Sequence, residues 1–281
     1  MSAVPKIEQN QVSSLENFGD HLGKSLIGKR SSWIMGQISK RDENFISGII
    51  SYLKPQKVVE VGVASGWSST VILNAMSQLG APDGKEDVWL TGVDLSPDYY
   101  LDKEIRTGAA VAEIVPDLLP HYRLKTGVFS FQAMPDVGGV DFAFIDAHHA
   151  HPWATFDLLS VIPFMSPNSW VALHDINLCT VPRHQHKNRA PYYLYFLWKG
   201  PKVHSSPETP MIGAINLPEN PRDCFSDVIE ILSTPWEVHV PEDLLHLWVE
   251  YVVKYYGDAA GKEFMNCCAI ANKPTLGRSN A

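Results

Sequence analysis

Hydrophobic and polar residues change their spacing several times along the chain, and each change predicts a different element. Between residues 12 and 53 the apolar side chains recur near a 3.6-residue period, which predicts helical structure until Pro55 ends it. Short apolar runs predict strands at 57–62, 88–94, 122–126, 140–146 and 169–175. Helical patterns occupy three intervening segments, 68–79, 102–119 and 151–165. Strands and helices therefore alternate from residue 58 to residue 175.

This alternation predicts an α/β fold, namely a Rossmann-like, mostly parallel sheet with helices on both faces. We expect residues 1–54 to form an N-terminal helical extension and residues 55–217 to form the Rossmann-like domain. Within that domain, residues 211–217 are expected to add a strand. Residues 218–281 are expected to be a C-terminal helical elaboration of the same domain. There, residues 241–256 predict an amphipathic helix, whose apolar face packs either within the chain or against a second subunit.

Charge and composition narrow the classes of partner. The formal net charge is −8 and the isoelectric point is about 5.7, and such an acidic surface repels nucleic acid. The sequence has no run of about 20 apolar residues, so we expect no membrane partner. Four cysteines without C-x-x-C spacing, and an N-terminus without a signal-peptide pattern, favour a reducing, cytoplasmic location.

A glycine-containing turn follows the first predicted strand and opens a helix, with the sequence EVGVASGWS at 60–68. Glycines allow the backbone to approach a ligand closely, and a helix N-terminus attracts negative charge. The ligand is therefore a dinucleotide or the methionine carboxylate of S-adenosylmethionine. Gly62 and Gly66 lack the spacing of the dinucleotide fingerprint G-x-G-x-x-G. In addition, Glu60 before the first glycine suits an amine-bearing ligand better.

Polar side chains also end the later strands. Asp94 ends the second strand, where a carboxylate can take both ribose hydroxyls of a nucleoside. Asp146 ends the fourth strand, with His149 shortly after it, and His174 and Asp175 end the fifth. Neighbouring strands would bring these groups together, and carboxylates with an imidazole can bind a divalent ion. Such an ion would orient a substrate hydroxyl and lower its pKa, and a histidine could remove the proton.

These motifs resemble those of a known family. The 60–68 turn is similar to E-x-G-x-x-x-G-[YW]-S, the first motif of class I S-adenosylmethionine-dependent methyltransferases of the catechol-type and the sugar or macrolide O-methyltransferases. The pattern I-D-x-x-H followed by L-H-D resembles the macrocin-type and mycinamicin-type sugar O-methyltransferases, within methyltransferase family 24. The resemblance covers roughly residues 45–217.

The resemblance implies roles for particular residues. Glu60, Gly62, Gly66 and Ser68 would hold the amino-acid part of S-adenosylmethionine, Asp94 its ribose, and Val128 with its neighbours Gly127 and Phe129 would lie by the adenine. Asp146 and Asp175 would be metal ligands for Mg²⁺ or another divalent ion, with Asp146 also catalytic and His149 the catalytic base. The family often has Glu or Asp where this chain has His174. This residue is therefore expected either as a third metal ligand or as a substrate contact.

The function expected from this sequence is S-adenosylmethionine-dependent O-methylation of a small-molecule or sugar hydroxyl, with or without help from a divalent ion. A homodimer is one expectation for an enzyme of this kind. Two alternatives remain open: a non-catalytic regulatory or scaffold protein that binds S-adenosylmethionine, and a nicotinamide-dependent oxidoreductase.

Overall fold

The computed structural model describes residues 5–36, 38–80, 88–184, 187–205 and 209–272. Its strands are β1 (Val58–Val61), β2 (Leu90–Asp94), β3 (Tyr122–Thr126), β4 (Val140–Ile145), β5 (Met165–His174), β6 (Lys202–His204) and β7 (Ile212–Asn216). Its α-helices are α1 (Val12–Gly23), α2 (Lys40–Leu53), α3 (Trp67–Gln78), α4 (Ala109–Ile114), α5 (Ser130–Ala133), α6 (Trp153–Val161), α7 (Ala190–Phe196), α8 (Phe225–Leu232), α9 (Glu242–Tyr256) and α10 (Asp258–Ala271).

The seven strands form one sheet in the order β3-β2-β1-β4-β5-β7-β6. Strands β1 to β5 are parallel, and β7 runs antiparallel to both of its neighbours. The strand order reverses between β1 and β4, and a crevice at such a reversal is where open α/β sheets bind ligands. The predicted Rossmann-like α/β fold is therefore confirmed.

Alternating side chains on the strands build two cores, one on each face of the sheet. On β1, Val58 faces the core formed with helices α1 to α4, whereas Val59 and Val61 face the core formed with helices α5 to α10. The same alternation recurs on β4, where Phe142 and Ala143 point to opposite faces. Both faces of the sheet are covered, which explains why its parallel strands are continuous apolar runs.

The helical prediction for residues 12–53 is wrong in its middle. Helices α1 and α2 are separate, and the residues between them include Gly28 at φ +74° and Gly36 at φ +63°. This left-handed backbone cannot continue a right-handed helix. The apolar residues of the segment nevertheless pack against the same core, which is why their spacing still resembled a helix.

Two other helices are shorter than predicted. In the 102–119 segment the α-helix covers only Ala109–Ile114, because Gly108 has a positive φ before it and Pro116 starts a separate 3-10 turn. In the 151–165 segment the α-helix ends at Val161 and a 3-10 turn follows. The pattern analysis missed β6 and α7 and did not give the bounds of α8 and α10.

Helix α9 forms as predicted, and its apolar face packs within the chain. Trp248 lies with its ring centroid 4.7 Å from that of Phe156 on α6, and the Tyr251 hydroxyl donates to the Ser160 carbonyl oxygen at 2.6 Å. Of the two alternatives for this face, intrachain packing is therefore the one observed. None of the described helices combines the length and apolar character needed to cross a membrane.

Candidate active site

The carboxyl ends of the central strands open onto a cavity of about 1000 Å³, a size typical of sites for cofactors and small molecules. Its wall is built from the segments that follow β1, β2, β3 and β4 and from the end of β5. Nine of the residues singled out from the sequence line it: Gly62, Ser68, Asp94, Val128, Phe129, Asp146, His149, His174 and Asp175. Within the described part of the chain, Glu60 and Gly66 contribute no surface to this cavity.

The turn after β1 requires both of its glycines. Gly62 has φ +90°, and a Cβ at this position would lie 2.1 Å from the carbonyl oxygen of Asp146. Gly66 has φ +86°, and its Cβ would lie 2.7 Å from the Cα of Gly108. Only glycine tolerates both the backbone conformation and the close approach. The turn is therefore pressed directly against the segment that carries Asp146.

Asp94 ties this turn to the end of β2. Its Oδ2 accepts hydrogen bonds from the backbone N–H groups of Val63 and Ala64 at 2.9 and 3.0 Å, and its Oδ1 accepts from Ser96 N–H at 2.8 Å. An ionised carboxylate has about four acceptor positions, so these three donors leave room for about one more. With the turn in this conformation, Asp94 keeps about one acceptor position for a ligand, and its contact with both ribose hydroxyls stays a prediction.

Glu60 lies beneath the turn and not beside the cavity, so a direct contact with the cofactor is not what the structure favours. Its side chain is fully buried, and Ser69 Oγ on α3 donates to its Oε2. Burial raises the pKa of Glu60 to about 8, because it outweighs the opposing effect of hydrogen bonds from Ser68 and Ser69. A protonated Glu60 would link β1 to the first turn of α3 and so hold the glycine turn in place.

At the other end of the cavity, three side chains form a compact cluster. Asp146, His149 and Asp175 each offer one ligand atom, and these atoms lie within 4.8 Å of one another. The Nε2 of His149 is 3.3 Å from Asp146 Oδ1 and 3.2 Å from Asp175 Oδ2. Two carboxylates and one imidazole are a donor set that suits a divalent metal ion, so the cluster fits the ion that the sequence suggested.

His174 lies beside this cluster and outside the group of three. Its Nδ1 is 3.2 Å from Asp146 Oδ1, and its Nε2 is 3.4 Å from Asp42 Oδ2. Burial alone would lower the pKa of His174, but the carboxylates of Asp146, Asp42 and Asp175 raise it well above its usual value. The three residues whose ligand atoms lie within 4.8 Å of one another thus include His149 in place of His174, which lies as an imidazole between the carboxylates of Asp146 and Asp42. The predicted metal set of Asp146, His174 and Asp175 stays a prediction.

The two carboxylates of the cluster respond differently to their surroundings. Burial acts to raise the pKa of both groups. For Asp146 the neighbouring His174 and His149 outweigh burial and lower the pKa. For Asp175, burial and the charge of Asp146 outweigh the imidazoles and raise it. The cluster therefore keeps Asp146 firmly ionised while Asp175 takes up a proton more readily.

Asp42 is the site residue that the sequence analysis missed. It lies in the first turn of α2, where Ser39 Oγ donates to its Oδ2 at 2.6 Å, and only 3% of the residue is exposed. In the sequence, Ser39 and Asp42 have the spacing of a helix N-terminal capping box, which indicates only a helix start. Its second role depends on His174, which is 132 residues away in the chain.

A comparison with known protein families matches the segment that carries this site. Residues 59–176 match the model of a family described as Methyltransferase domain. This match spans β1 to the end of β5, and so includes the glycine turn, Asp94 and the Asp146–His149–Asp175 cluster. No curated protein sequence matches the chain.

Among solved structures, a methyltransferase from Podospora anserina bound to S-adenosylhomocysteine is similar with a TM-score of 0.51 and 11% identity, over 76% of this chain and 98% of that one. The O-methyltransferase TomG from Streptomyces achromogenes, bound to S-adenosylmethionine, has a TM-score of 0.48 and 14% identity, over 75% of this chain and 99% of that one. An O-methyltransferase from Bacillus cereus has a TM-score of 0.47 and 12% identity, over 76% of this chain and 93% of that one. At these identities the likeness concerns the fold alone.

The family match covers the segment in which the strand order, the glycine turn and the acidic strand ends all occur. Residues 59–176 are therefore similar to this methyltransferase-domain family, on a sheet with the strand order β3-β2-β1-β4-β5-β7-β6.

Proposed function

We propose that the protein methylates a hydroxyl oxygen of a small molecule or sugar, with help from a divalent ion. The observation that carries the proposal is a single cavity whose wall holds the glycine turn and Asp94 at one end and Asp146, His149 and Asp175 at the other. A methyl donor and a hydroxyl acceptor bound at these two ends would face each other across the cavity.

At the first end, the turn from Gly62 to Ser68 and the carboxylate of Asp94 would hold S-adenosylmethionine. When bound, this cofactor supplies an electrophilic methyl group on a sulfonium sulfur. The glycine turn fits it because the absence of a Cβ at Gly62 lets backbone and ligand approach closely. The open acceptor position on Asp94 fits a ribose hydroxyl. The protein's contribution here is mainly proximity and orientation.

At the second end, Asp146 and Asp175 would hold the divalent ion, and His149 would either complete its ligand set or remove the hydroxyl proton. The Nε2 of His149 lies within 3.3 Å of both carboxylates and at the cavity wall, so both roles are within its reach. A group that removes the proton makes the oxygen a stronger nucleophile. His174 and Asp42 would hold Asp146 in place from behind.

The charge of the wall supports an acceptor that is not an anion. The lining carries the carboxylates of Asp94, Asp146, Asp157 and Asp175 as well as the imidazoles of His148, His149 and His174, and within the described residues no lysine or arginine is part of it. A phosphate or carboxylate on the acceptor would be repelled by these groups unless the ion compensated it. A neutral polyol, sugar or phenol meets no such penalty.

A ligand-binding experiment tests the cofactor assignment. S-adenosylmethionine and S-adenosylhomocysteine should each raise the melting temperature of the wild-type protein, whereas NAD should not. Asp94→Ala should weaken binding of S-adenosylhomocysteine roughly 10- to 100-fold by calorimetry, because it removes an acceptor for the ribose and for the turn. Asp117→Ala, an exposed carboxylate outside the cavity, is the control. Stabilisation by NAD alone would favour the oxidoreductase alternative.

A second experiment tests the acceptor chemistry. The protein is incubated with S-adenosylmethionine, Mg²⁺ or Mn²⁺, and a panel of neutral diols, sugars, phenols and amines, and the products are identified by mass spectrometry. Methyl ethers formed only in the presence of the divalent ion would support the proposal. Formation of methylated amines would indicate that the methyl-acceptor atom is nitrogen and not oxygen. Cofactor binding without any product across a broad panel would favour the non-catalytic alternative.

A further inference from the structure

The loop that carries His149 is anchored by a residue from the C-terminal part of the chain. Glu237 lies between α8 and α9, and its Oε2 accepts a hydrogen bond from the backbone N–H of His151 at 2.7 Å. The backbone N–H of Glu237 in turn donates to the carbonyl oxygen of His151 at 2.9 Å. The side chain of His151 is fully buried, and its Nε2 lies 3.0 Å from Oγ1 of Thr234. The loop is therefore fixed to the C-terminal segment two residues after His149.

The same carboxylate oxygen also holds a second segment of the cavity wall. The backbone N–H of Arg189 donates to Oε2 of Glu237 at 2.8 Å. Arg189 directly follows Asn188, which lines the cavity. The next residue, Ala190, donates its N–H to the carbonyl oxygen of His149 at 2.9 Å. One oxygen atom thus joins the loop after β4 to the segment before α7, and these two segments also bind each other.

The other carboxylate oxygen makes Glu237 costly for stability. Its Oε1 is buried and, among the residues that the structure describes, has no hydrogen-bond partner. A buried polar atom without a partner destabilises the fold, so stability alone does not account for a carboxylate here. An apolar side chain would avoid this cost, but it could not accept from the two backbone N–H groups. Such a local cost is typical of residues that serve a functional site.

His149 needs an anchor of this kind because its imidazole meets two carboxylates at once. Its Nε2 is 3.3 Å from Oδ1 of Asp146 and 3.2 Å from Oδ2 of Asp175. The two carboxylates directly follow β4 and β5, whereas His149 lies in a loop that is neither helix nor strand. In a catalytic site, a misplacement of about 1 Å can lower the rate roughly 100-fold.

We propose that Glu237 is a positioning residue for the acceptor end of the cavity. By accepting from the N–H groups of His151 and Arg189, it keeps the imidazole of His149 beside the two carboxylates that would hold the ion. The inference rests on the proposed function. Glu237 lies outside the cavity lining and outside residues 59–176, the segment that matches the methyltransferase-domain family. Its effect on the site therefore passes through the loop.

Binding of Mn²⁺ alone, measured by calorimetry, tests the proposal without requiring turnover. In Glu237→Ala the affinity for Mn²⁺ should fall roughly 10- to 100-fold, the usual result of removing a group that orients a metal ligand. Affinity for S-adenosylhomocysteine should stay within about threefold of wild type, because the glycine turn is held by other contacts. Glu237→Gln keeps an oxygen that can accept from both N–H groups, so its Mn²⁺ affinity should stay within about threefold of wild type.

A double-variant cycle tests whether Glu237 acts through His149. His149→Ala should by itself weaken Mn²⁺ binding. Adding Glu237→Ala to it should cause little further loss, because the side chain that the anchor positions is then absent. Fully additive losses would overturn the proposal. Glu219→Ala removes an exposed carboxylate from the same part of the chain, and this control should bind Mn²⁺ like the wild-type protein.

Circular dichroism shows whether each variant is folded, and Glu237→Asp, with a shorter side chain, replaces Glu237→Ala if that variant is not. A folded variant with wild-type Mn²⁺ affinity would overturn the inference and leave the proposed function intact. Equal losses of Mn²⁺ and S-adenosylhomocysteine affinity would overturn it too, because they indicate a general structural change. A Glu237→Gln variant as weak as Glu237→Ala would do the same, since the charge would then matter and not the anchor. Failure of the wild-type protein to bind Mn²⁺ would overturn the proposed ion site and this inference together.

Discussion

The two ends of the cavity are built in different ways. At the glycine turn, the contacts join Asp94 to backbone N–H groups about 30 residues away, and the shape depends on a missing Cβ at Gly62. At the Asp146–His149–Asp175 cluster, the contacts join charged side chains, and one contact beside it, between His174 and Asp42, spans 132 residues. The geometry of the first end thus depends on the backbone conformation of one short sequence motif. The second is a balance of charges that exists only after distant segments have packed together.

The largest difference between the two ends should appear on removing Asp146. Asp146→Asn should lower the methyl-transfer rate by about 10³-fold or more, because the ion and the hydroxyl lose a charged ligand worth several kcal/mol. Affinity for S-adenosylhomocysteine, measured by calorimetry, should stay within about threefold of wild type. A parallel loss of rate and cofactor affinity would show that the two ends are not separate.

Gly62→Ala should instead impair the end of the cavity that holds the glycine turn. The added Cβ lies 2.1 Å from the Asp146 carbonyl oxygen and forces a residue with a side chain to φ +90°. We expect the free energy of unfolding to fall by roughly 2–4 kcal/mol and cofactor binding to weaken. Urea unfolding measures the first effect. Gly139→Ala is the matched control, since its Cβ would meet nothing within 4 Å. Comparable losses in the two variants would contradict the explanation.

Glu60→Gln tests whether the buried carboxyl of Glu60 stabilises the glycine turn. The test is the pH dependence of the free energy of unfolding. The pKa of Glu60 is raised from 4.5 in the unfolded chain to about 8 when folded. A raised pKa stabilises the fold fully below pH 4.5, and this contribution is lost as the pH rises through 8. Between pH 5 and pH 8 the wild-type protein should therefore lose about 3–4 kcal/mol more stability than Glu60→Gln does. If the free energy of unfolding from urea titrations changed with pH in the same way in the wild-type protein and in Glu60→Gln, the buried, protonated state of Glu60 would be contradicted.

Asp42→Asn should have the smallest effect, because it acts on the cluster only through His174. We expect the turnover number to fall about tenfold, with KM for the acceptor and cofactor affinity nearly unchanged. Asp42 helps to raise the pKa of His174, so its loss should move any transition of the pH–rate profile that belongs to His174 to lower pH. Glu43→Gln, in the same helical turn, should leave that profile in place. A profile unchanged in Asp42→Asn would indicate a purely structural role.

Much of the cofactor end could be predicted because its information is local. The run from Lys57 to Gly62 contains three valines and ends in a glycine, and Asp94 ends the next apolar run, so both positions follow from strand pattern and parallel topology. For Glu60, whose place before the first glycine suggested a ligand contact, the structure shows a different environment, and the contact itself stays a prediction. In the fold, the odd–even alternation of β1 turns it away from the cavity and toward Ser69.

The acceptor end was predicted only in outline. Asp146, His149, His174 and Asp175 were expected to meet because their strands are neighbours, and they do. Which imidazole joins the two carboxylates depends on side-chain direction at the strand ends. His174 is the last residue of β5, whereas Asp175 follows it with φ +57°, a backbone turn that hydrophobic spacing does not reveal.

The chain by itself determined the order of strands and helices, the class of the sheet and the position of the glycine turn. Apolar periodicity and glycine conformation act over a few residues, and a sequence displays such effects directly. Only the tertiary structure decided that α2 brings Asp42 against His174 and that α6 sets Asp157 beside Ser130. Those pairs form because two helices pack onto opposite faces of one sheet, and the positions of packed helices depend on the entire core.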